Sequence, residues 1–323
     1  MRYIVIILWI ACLGACNPDV KQKVTVNGKL TNYKGNKIYF EISGRDSLVK
    51  AELDSAGRFS ACLELDEGTY VRLMNGKAAF PLFLQPGKSV RLKMDVKSVL
   101  EGDYESVEFL EGSNPETRMM VDYYQKQWFP STQEMFVLPP SDFKQLMDSI
   151  VRFNDRIISA FVKKNTCDPV FVQLFRIQVK VPLAASYFYY PMYHSLLNRE
   201  DKSDIPADFN IFDRMLPKND IDVYRDVYRY KIYEVSYWNN LLGEKLANLM
   251  SEPGQFVNAY IDELNNLGLH EQIRDDIGNN FVMQYCNELP EEAVSILKNR
   301  YKEIVVNPKY LKEIEHVFQN VLP

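Results

Sequence analysis

No Cys-x-x-Cys pair occurs in the 323 residues, and neither a Gly-x-Ser-x-Gly elbow nor a phosphate-cradling glycine loop is present. Each absence removes a chemistry. A dithiol switch needs two cysteines close enough for one to attack the mixed disulfide formed by the other, and a serine nucleophile of the elbow kind needs a strained turn. Histidine is scarce. His194, His270 and His316 have no i, i+4 partner and no cysteine or carboxylate at a ligand spacing, so neither a metal nor another cofactor is expected. The adjacent acids Asp275-Asp276 and Glu291-Glu292 diverge around a helix and read as solvated or first-turn charges rather than as a glycosidase pair. No catalytic residue is therefore assigned. Basic charge is in the minority, 38 Lys and Arg against 43 Asp and Glu, which argues against nucleic acid as a partner.

Long apolar runs are equally few. Tyr3–Leu13 is almost wholly apolar, follows Arg2, and leads into Gly14, Ala15 and Cys16. It falls well short of the roughly 20 residues that a helix needs to cross the hydrocarbon core, and its charged start and small-residue end make it a secretory signal over residues 1–15. Leu13-Gly14-Ala15-Cys16 resembles the lipobox of bacterial lipoproteins. That resemblance implies a diacylglycerol on the Cys16 thiol, cleavage just before Cys16, and acylation of the new amino group. The plainer alternative is an ordinary secretory peptide cut near Cys16. Several acyl chains, at about 0.8 kcal/mol per buried CH₂, exceed what stable anchoring requires, so a membrane is an expected partner through the lipid alone. Residues 16–22 then form a tether. Asn17 and its neighbours lack the acidic run that marks surface export in similar lipoproteins, so the expected location is the cell envelope, at the outer membrane facing the periplasm.

Cleavage removes Cys12 and lipidation consumes Cys16, leaving Cys62, Cys167 and Cys286 at separations that carry no disulfide framework. They are expected as buried free thiols, with Cys167 the most exposed.

What is present falls into two halves of different period. Val24-Val26, Ile38-Phe40-Ile42, Phe59-Ala61-Leu63-Leu65, Phe80-Leu82-Leu84, Val90-Leu92-Met94 and Val107-Phe109 alternate with period two, the mark of half-buried strands. Asn27-Gly28, Asp54-Ser55-Ala56-Gly57, Asn75-Gly76 and Gln85-Pro86-Gly87 supply turn chemistry between them. The expectation is an antiparallel β-sandwich over residues 23–113. Beyond Pro115 the period becomes helical. A cap at Ser141-Asp142 opens a helix through Phe161, and further helices read over 169–194, 222–250, 255–266, 270–288, 291–301 and 308–321, with loops at 130–140 and 198–206. The fold class is thus α+β, a sandwich followed by an all-α domain over 114–323.

Two aromatic clusters stand out, Tyr187 to Tyr193 and Tyr224 to Trp238. Aromatics at helical spacing usually pack into a core. The sharper reading makes Tyr187, Tyr190, Tyr193, Tyr228, Tyr233 and Trp238 amphipathic anchors of a surface for peptide or unfolded protein. Arg225, Arg229 and Lys231, interleaved with the second cluster, read as a solvated helix face.

The segments VNGKL, NKIYFEI, LDSAGRFS, FPLFLQPGKSV and FLEGS, in that order, resemble the N-terminal region of TlpA-type thiol-disulfide oxidoreductase lipoproteins of Bacteroidetes-type bacteria; FVKKN, YRDVYRYKIYE and VNPKYLKEIEHVFQNVLP are similar to their helical middle segment. In that family a thioredoxin-like domain carrying Cys-x-x-Cys comes last, and here the chain reaches Pro323 where that domain would begin. None of the family's catalytic cysteines carries over. The leading expectation is a non-catalytic, lipid-anchored module that binds a protein or peptide, a separately made thioredoxin-like protein among the candidates. Its rivals are the front part of an oxidoreductase whose Cys-x-x-Cys domain is truncated or encoded separately, and an unrelated hydrolase or glycan-binding lipoprotein, since a sandwich alone does not decide function.

Overall fold

A computed structural model describes residues 22–45, 47–75, 79–112, 115–199 and 215–321. The signal, Cys16 and all of the tether but Gln22 lie outside the described residues, as do part of the 198–206 loop and parts of the turns at Asn75-Gly76 and Gly112 to Pro115. The fold is α+β: strands come first and helices follow.

Among the described residues there are eight strands: β1 (Gln22–Thr31), β2 (Lys37–Ile42), β3 (Leu48–Glu52), β4 (Arg58–Leu65), β5 (Thr69–Met74), β6 (Ala79–Leu84), β7 (Val90–Asp95) and β8 (Glu108–Glu111). They form two four-stranded sheets, ordered β4-β1-β7-β8 and β3-β2-β5-β6. β3 and β5 go beyond the six strands read from alternation, because each offers few inward apolar side chains to mark a phase. The expectation that all pairing is antiparallel fails at one place. β1 and β7 run parallel, Val26 opposite Val90 through Thr31 opposite Asp95. Alternation reports which side chains point inward and is silent on strand direction; a parallel pair needs a long crossover, and residues 32–89 supply it.

Inward side chains of both sheets join in one buried cluster. Val24, Val26, Phe59, Leu63, Leu92 and Met94 come from the first sheet, and Ile38, Phe40, Val71, Leu73, Phe80 and Leu82 from the second. Burying each is worth about 1.5–3 kcal/mol. The turn into β4 shows how local chemistry sets register: the Asp54 carboxylate accepts from Ala56 and Arg58 backbone N–H groups at 2.9 and 2.8 Å, and Gly57 takes φ +74°. A Cβ there would stand 2.3 Å from the Leu30 carbonyl oxygen. Only glycine fits.

Between β7 and β8 lies the short helix α1 (Val96–Leu100), capped by Asp95. After β8 come α2 (Pro115–Lys126), α3 (Thr132–Phe136), α4 (Pro140–Lys164), α5 (Pro169–Asn198), α6 (Ile221–Asp226), α7 (Tyr228–Lys245), α8 (Pro253–Asn266), α9 (Glu271–Tyr285), α10 (Glu291–Arg300) and α11 (Pro308–Val321). Three sequence expectations shift here. α4 starts a residue before Ser141, with Pro140 in its first turn and the Pro139 carbonyl accepting from Asp142 and Phe143, so Ser141-Asp142 is not its cap. The expected loop 130–140 contains α3, opened by a capping box in which Ser131 and Glu134 serve each other's backbone. The single helix expected over 222–250 breaks at Val227, whose φ of −113° and ψ of 90° are not helical.

The described residues divide into two compact units, those up to 128 with 156–172 and those of 129–155 with 173 onward. In the first, α2 lies along the edge of β6: the Thr117 hydroxyl accepts from the Phe83 N–H at 2.9 Å and faces the Phe83 carbonyl oxygen at 3.2 Å. On the same sheet Phe171 stacks on Tyr70 at 5.3 Å and meets Phe83 at 4.7 Å. In the second unit, Phe136, Phe143, Met147, Ile150, Leu183, Tyr187 and Tyr190 form a cluster of their own.

Candidate functional site

The richest concentration of buried polar side chains lies in the second unit, on α6, α7 and α9. Asp275 and Asp276 are 4% and 7% exposed, which overturns their reading as solvated charges. Asp275 accepts the backbone N–H groups of Val306 and Asn307 at 2.9 and 2.8 Å, just ahead of α11. Asp276 receives the Tyr224 hydroxyl at 2.7 Å, the Tyr310 hydroxyl from the first turn of α11, and Lys231 Nζ at 2.8 Å. The reason the sequence reading missed this is directional. Adjacent residues do diverge around α9, but here both directions lead into packed neighbours. Lys231 is likewise not part of a freely solvated face, since it is tied to Asp276; Arg225 and Arg229 are exposed, Arg225 pairing with Asp222 and Asp226.

One turn along α7, Glu234 is buried to 1% exposure. Its Oε1 accepts from the Asn219 backbone N–H at 2.7 Å and from the Trp238 indole at 3.3 Å. Asn219 sits at φ +53°, a left-handed conformation that asparagine tolerates, and its side chain bridges the Gly268 carbonyl oxygen and the His270 N–H. Tyr230 donates to the Pro217 carbonyl at 2.5 Å. Burial holds the Glu234 carboxyl above its ordinary range against those donors, and burial raises Asp275 likewise against its two backbone N–H groups. Burial and the neighbouring Asp276 push the Tyr224 hydroxyl far up, so it stays a donor.

These groups act as ties between elements. Asp276 already holds two hydroxyls and an ammonium, and Glu234 and Asp275 hold backbone N–H groups that would otherwise lie unpaired. Proton uptake at a carboxylate so engaged would take away acceptor contacts that join neighbouring elements, which is a structural task rather than a catalytic one.

The six aromatic candidates separate. Tyr187 and Tyr190 are 3% and 0% exposed, pack on Phe143 at 5.2 and 4.2 Å, and belong to core rather than surface. Burial pushes the Tyr187 hydroxyl up to about 12. Tyr193 is half-buried against Phe136 at 5.1 Å. Tyr233 and Trp238 are buried in the α7 core, and only Tyr228, 46% exposed, stands open to solvent. The cluster that holds Tyr187, Tyr190 and Tyr193 does not contain Tyr228, Tyr233 or Trp238. Helical spacing marks a packed stripe and an exposed stripe in the same way, which is why these residues read equally as anchors.

All three described cysteines are free, but only Cys286 is buried as expected; Cys167 is intermediate, and Cys62 rather than Cys167 is the most exposed. β4 alternates strictly, with Phe59, Ala61, Leu63 and Leu65 inward, and Cys62 falls on the outward phase. Burial, then the Glu116 carboxylate, raises the Cys167 thiol, and burial raises Cys286, so neither is poised as a thiolate. His194 is buried with Nδ1 2.8 Å from the Phe136 carbonyl oxygen, His270 caps α9, and His316 is exposed. Among the described residues no three His, Cys, Asp or Glu side chains converge on a possible metal position, and no described helix is long and apolar enough to cross a membrane.

The chain matches no protein-family model, no curated protein and no solved structure.

Proposed function

We propose that this chain is a lipid-anchored envelope protein that works by binding rather than by catalysis, its two sheets forming a β-sandwich and its later residues an all-α domain. The observation that carries this reading is Leu13-Gly14-Ala15-Cys16 after a short apolar run. The engagement of Asp275, Asp276 and Glu234 in structural ties supports the non-catalytic part. The sandwich is supported by the single buried cluster drawn from both sheets. The ligand class it proposes is a protein or extended peptide, with a thioredoxin-like protein as one candidate, and the membrane is met through the anchor at the outer membrane, on the periplasmic side.

The test is metabolic labelling of the full chain with an alkyne-bearing fatty acid in a bacterial host. Label is expected on the wild type and is lost in Cys16→Ser, which remains as unprocessed precursor. A Cys16→Ser chain that is still labelled, or a wild type that is cleaved and secreted without label, sinks the anchor.

A further inference from the structure

Residues 217–219, just ahead of α6, are held by one face of α7. Tyr230, Glu234 and Tyr237, at i, i+4 and i+7, stand in a row along that helix, and each takes one group of the segment. The Tyr230 hydroxyl donates to the Pro217 carbonyl at 2.5 Å, Glu234 Oε1 accepts the Asn219 N–H at 2.7 Å, and Lys218 Nζ donates to the Tyr237 hydroxyl at 2.9 Å. The same ammonium lies 4.6 Å from the Tyr237 ring centroid and 5.8 Å from that of Trp238, a cation over two aromatic faces. These four α7 side chains are buried, whereas Pro217 and Lys218 are half-buried and Asn219 is exposed, so the segment is the outer layer here. Trp238, which helical spacing marks as a binding anchor, is thereby covered by a lysine of its own chain.

The α7 row reads a backbone carbonyl, a backbone N–H two residues on, and a cation between them. None of these is particular to Pro217 or Asn219, and any bent segment with lysine at its centre offers the same three. What fixes this segment lies elsewhere: the Asn219 side chain accepts the His270 N–H at 2.6 Å and donates to the Gly268 carbonyl at 3.3 Å, from a backbone at φ +53°. Recognition row and pin are separate sets of atoms. The row is also incompletely filled. Glu234 is 1% exposed, and its Oε2 accepts no hydrogen bond among the described residues. A buried acceptor left unused is a cost that a better-fitting ligand removes.

We propose that this face of α7 is a binding site for a lysine-bearing loop of a partner protein, and that residues 217–219 occupy it in cis until such a loop displaces them. The site rests on the binding reading given above and supplies its ligand chemistry: the incoming lysine enters between Tyr237 and Trp238, while Tyr230 and Glu234 take the flanking backbone groups. The chain's own segment then competes with the partner, and the Asn219 pin sets how strongly it does so.

The probe is a fluorescent, end-blocked peptide of residues 215–221, titrated against the full chain in mild non-ionic detergent and read by anisotropy. The wild type, whose site is filled, is expected to bind it roughly tenfold more weakly than Asn219→Ala, which removes the pin and leaves every α7 group in place. Norleucine in place of the probe's lysine should cost about tenfold in the Asn219→Ala chain. Tyr237→Phe added to that chain should narrow the gap between the two probes, which a merely structural role would not do. Lys218→Ala empties the aromatic pair without touching the pin and should also bind the lysine probe more tightly than the wild type; it decides the matter if Asn219→Ala fails to fold. No gain in either variant overturns the proposal, as does binding that ignores the probe's lysine. The readout does not pass through the anchor, so loss of fatty-acid label leaves this site standing, and loss of probe binding leaves the anchor standing.

Discussion

Asp276 ties three helices of the second unit together, because donors from each end on its one carboxylate. Tyr224→Phe removes one of those bonds and is expected to cost about 1 kcal/mol. Asp276→Ala strands a buried hydroxyl and an ammonium, and should cost about 3 kcal/mol; the double variant should cost less than the sum, because both changes act on one contact. Chemical denaturation of the four chains checks this. Glu234 offers a pH test. Its folded-state carboxyl titrates above its ordinary value of 4.5. As pH rises from that value, the unfolded chain releases its proton first, so this group's contribution to stability falls until the folded carboxyl has also ionised. Glu234→Gln keeps an acceptor for Asn219 and removes the desolvated charge, so its melting temperature should gain on the wild type as pH rises through that window. A gain that shrinks with rising pH would show that the charged carboxylate is favoured after all. At the thiols, Ellman's reagent should modify Cys62 rapidly in the native chain and reach Cys286 only after denaturation, since one is outward on β4 and the other fully buried.

At the scale of elements, the Thr117 hydroxyl ties α2 to β6. Thr117→Val preserves shape and takes away the partner of both Phe83 backbone groups, at an expected cost of about 2 kcal/mol, while Thr117→Ser should be nearly neutral. Denaturant midpoints for the two variants decide it. The register of β4 rests on the turn before it. Gly57→Ala should destabilise by about 2 kcal/mol or more, through a left-handed backbone and a clash with Leu30. The turn itself was legible, since Asp-Ser-Ala-Gly is turn chemistry. The capping box at Ser131 and Glu134 was equally legible in principle; it went unread because α3 has only five residues and its apolar pattern is too short to show a period.

For the whole molecule, the leading reading predicts a chemistry that is missing. Purified chain should not reduce insulin with dithiothreitol above the uncatalysed rate, and replacing Cys62, Cys167 and Cys286 by serine should leave that rate where it was. Turnover that vanishes in the triple variant would sink the non-catalytic reading. Most ion pairs sit at exposed side chains, where each contributes little to stability.

Sequence by itself determined the class of fold and most of the strands and helices, because side-chain periodicity of two or 3.6 is a local consequence of backbone geometry. The segment Leu13-Gly14-Ala15-Cys16, on which the proposed anchor rests, is likewise linear and is read without reference to a fold. Tertiary structure alone decided the parallel pairing of β1 with β7, the burial of Asp275, Asp276 and Glu234, and the withdrawal of Tyr187, Tyr190, Tyr233 and Trp238 into cores. In each case the deciding neighbour is distant in sequence: Asp276 meets Tyr310, and β1 meets β7 across residues 32–89. A polar side chain reads as solvated until the groups that replace its water are known, and those groups are assembled only when the chain has folded.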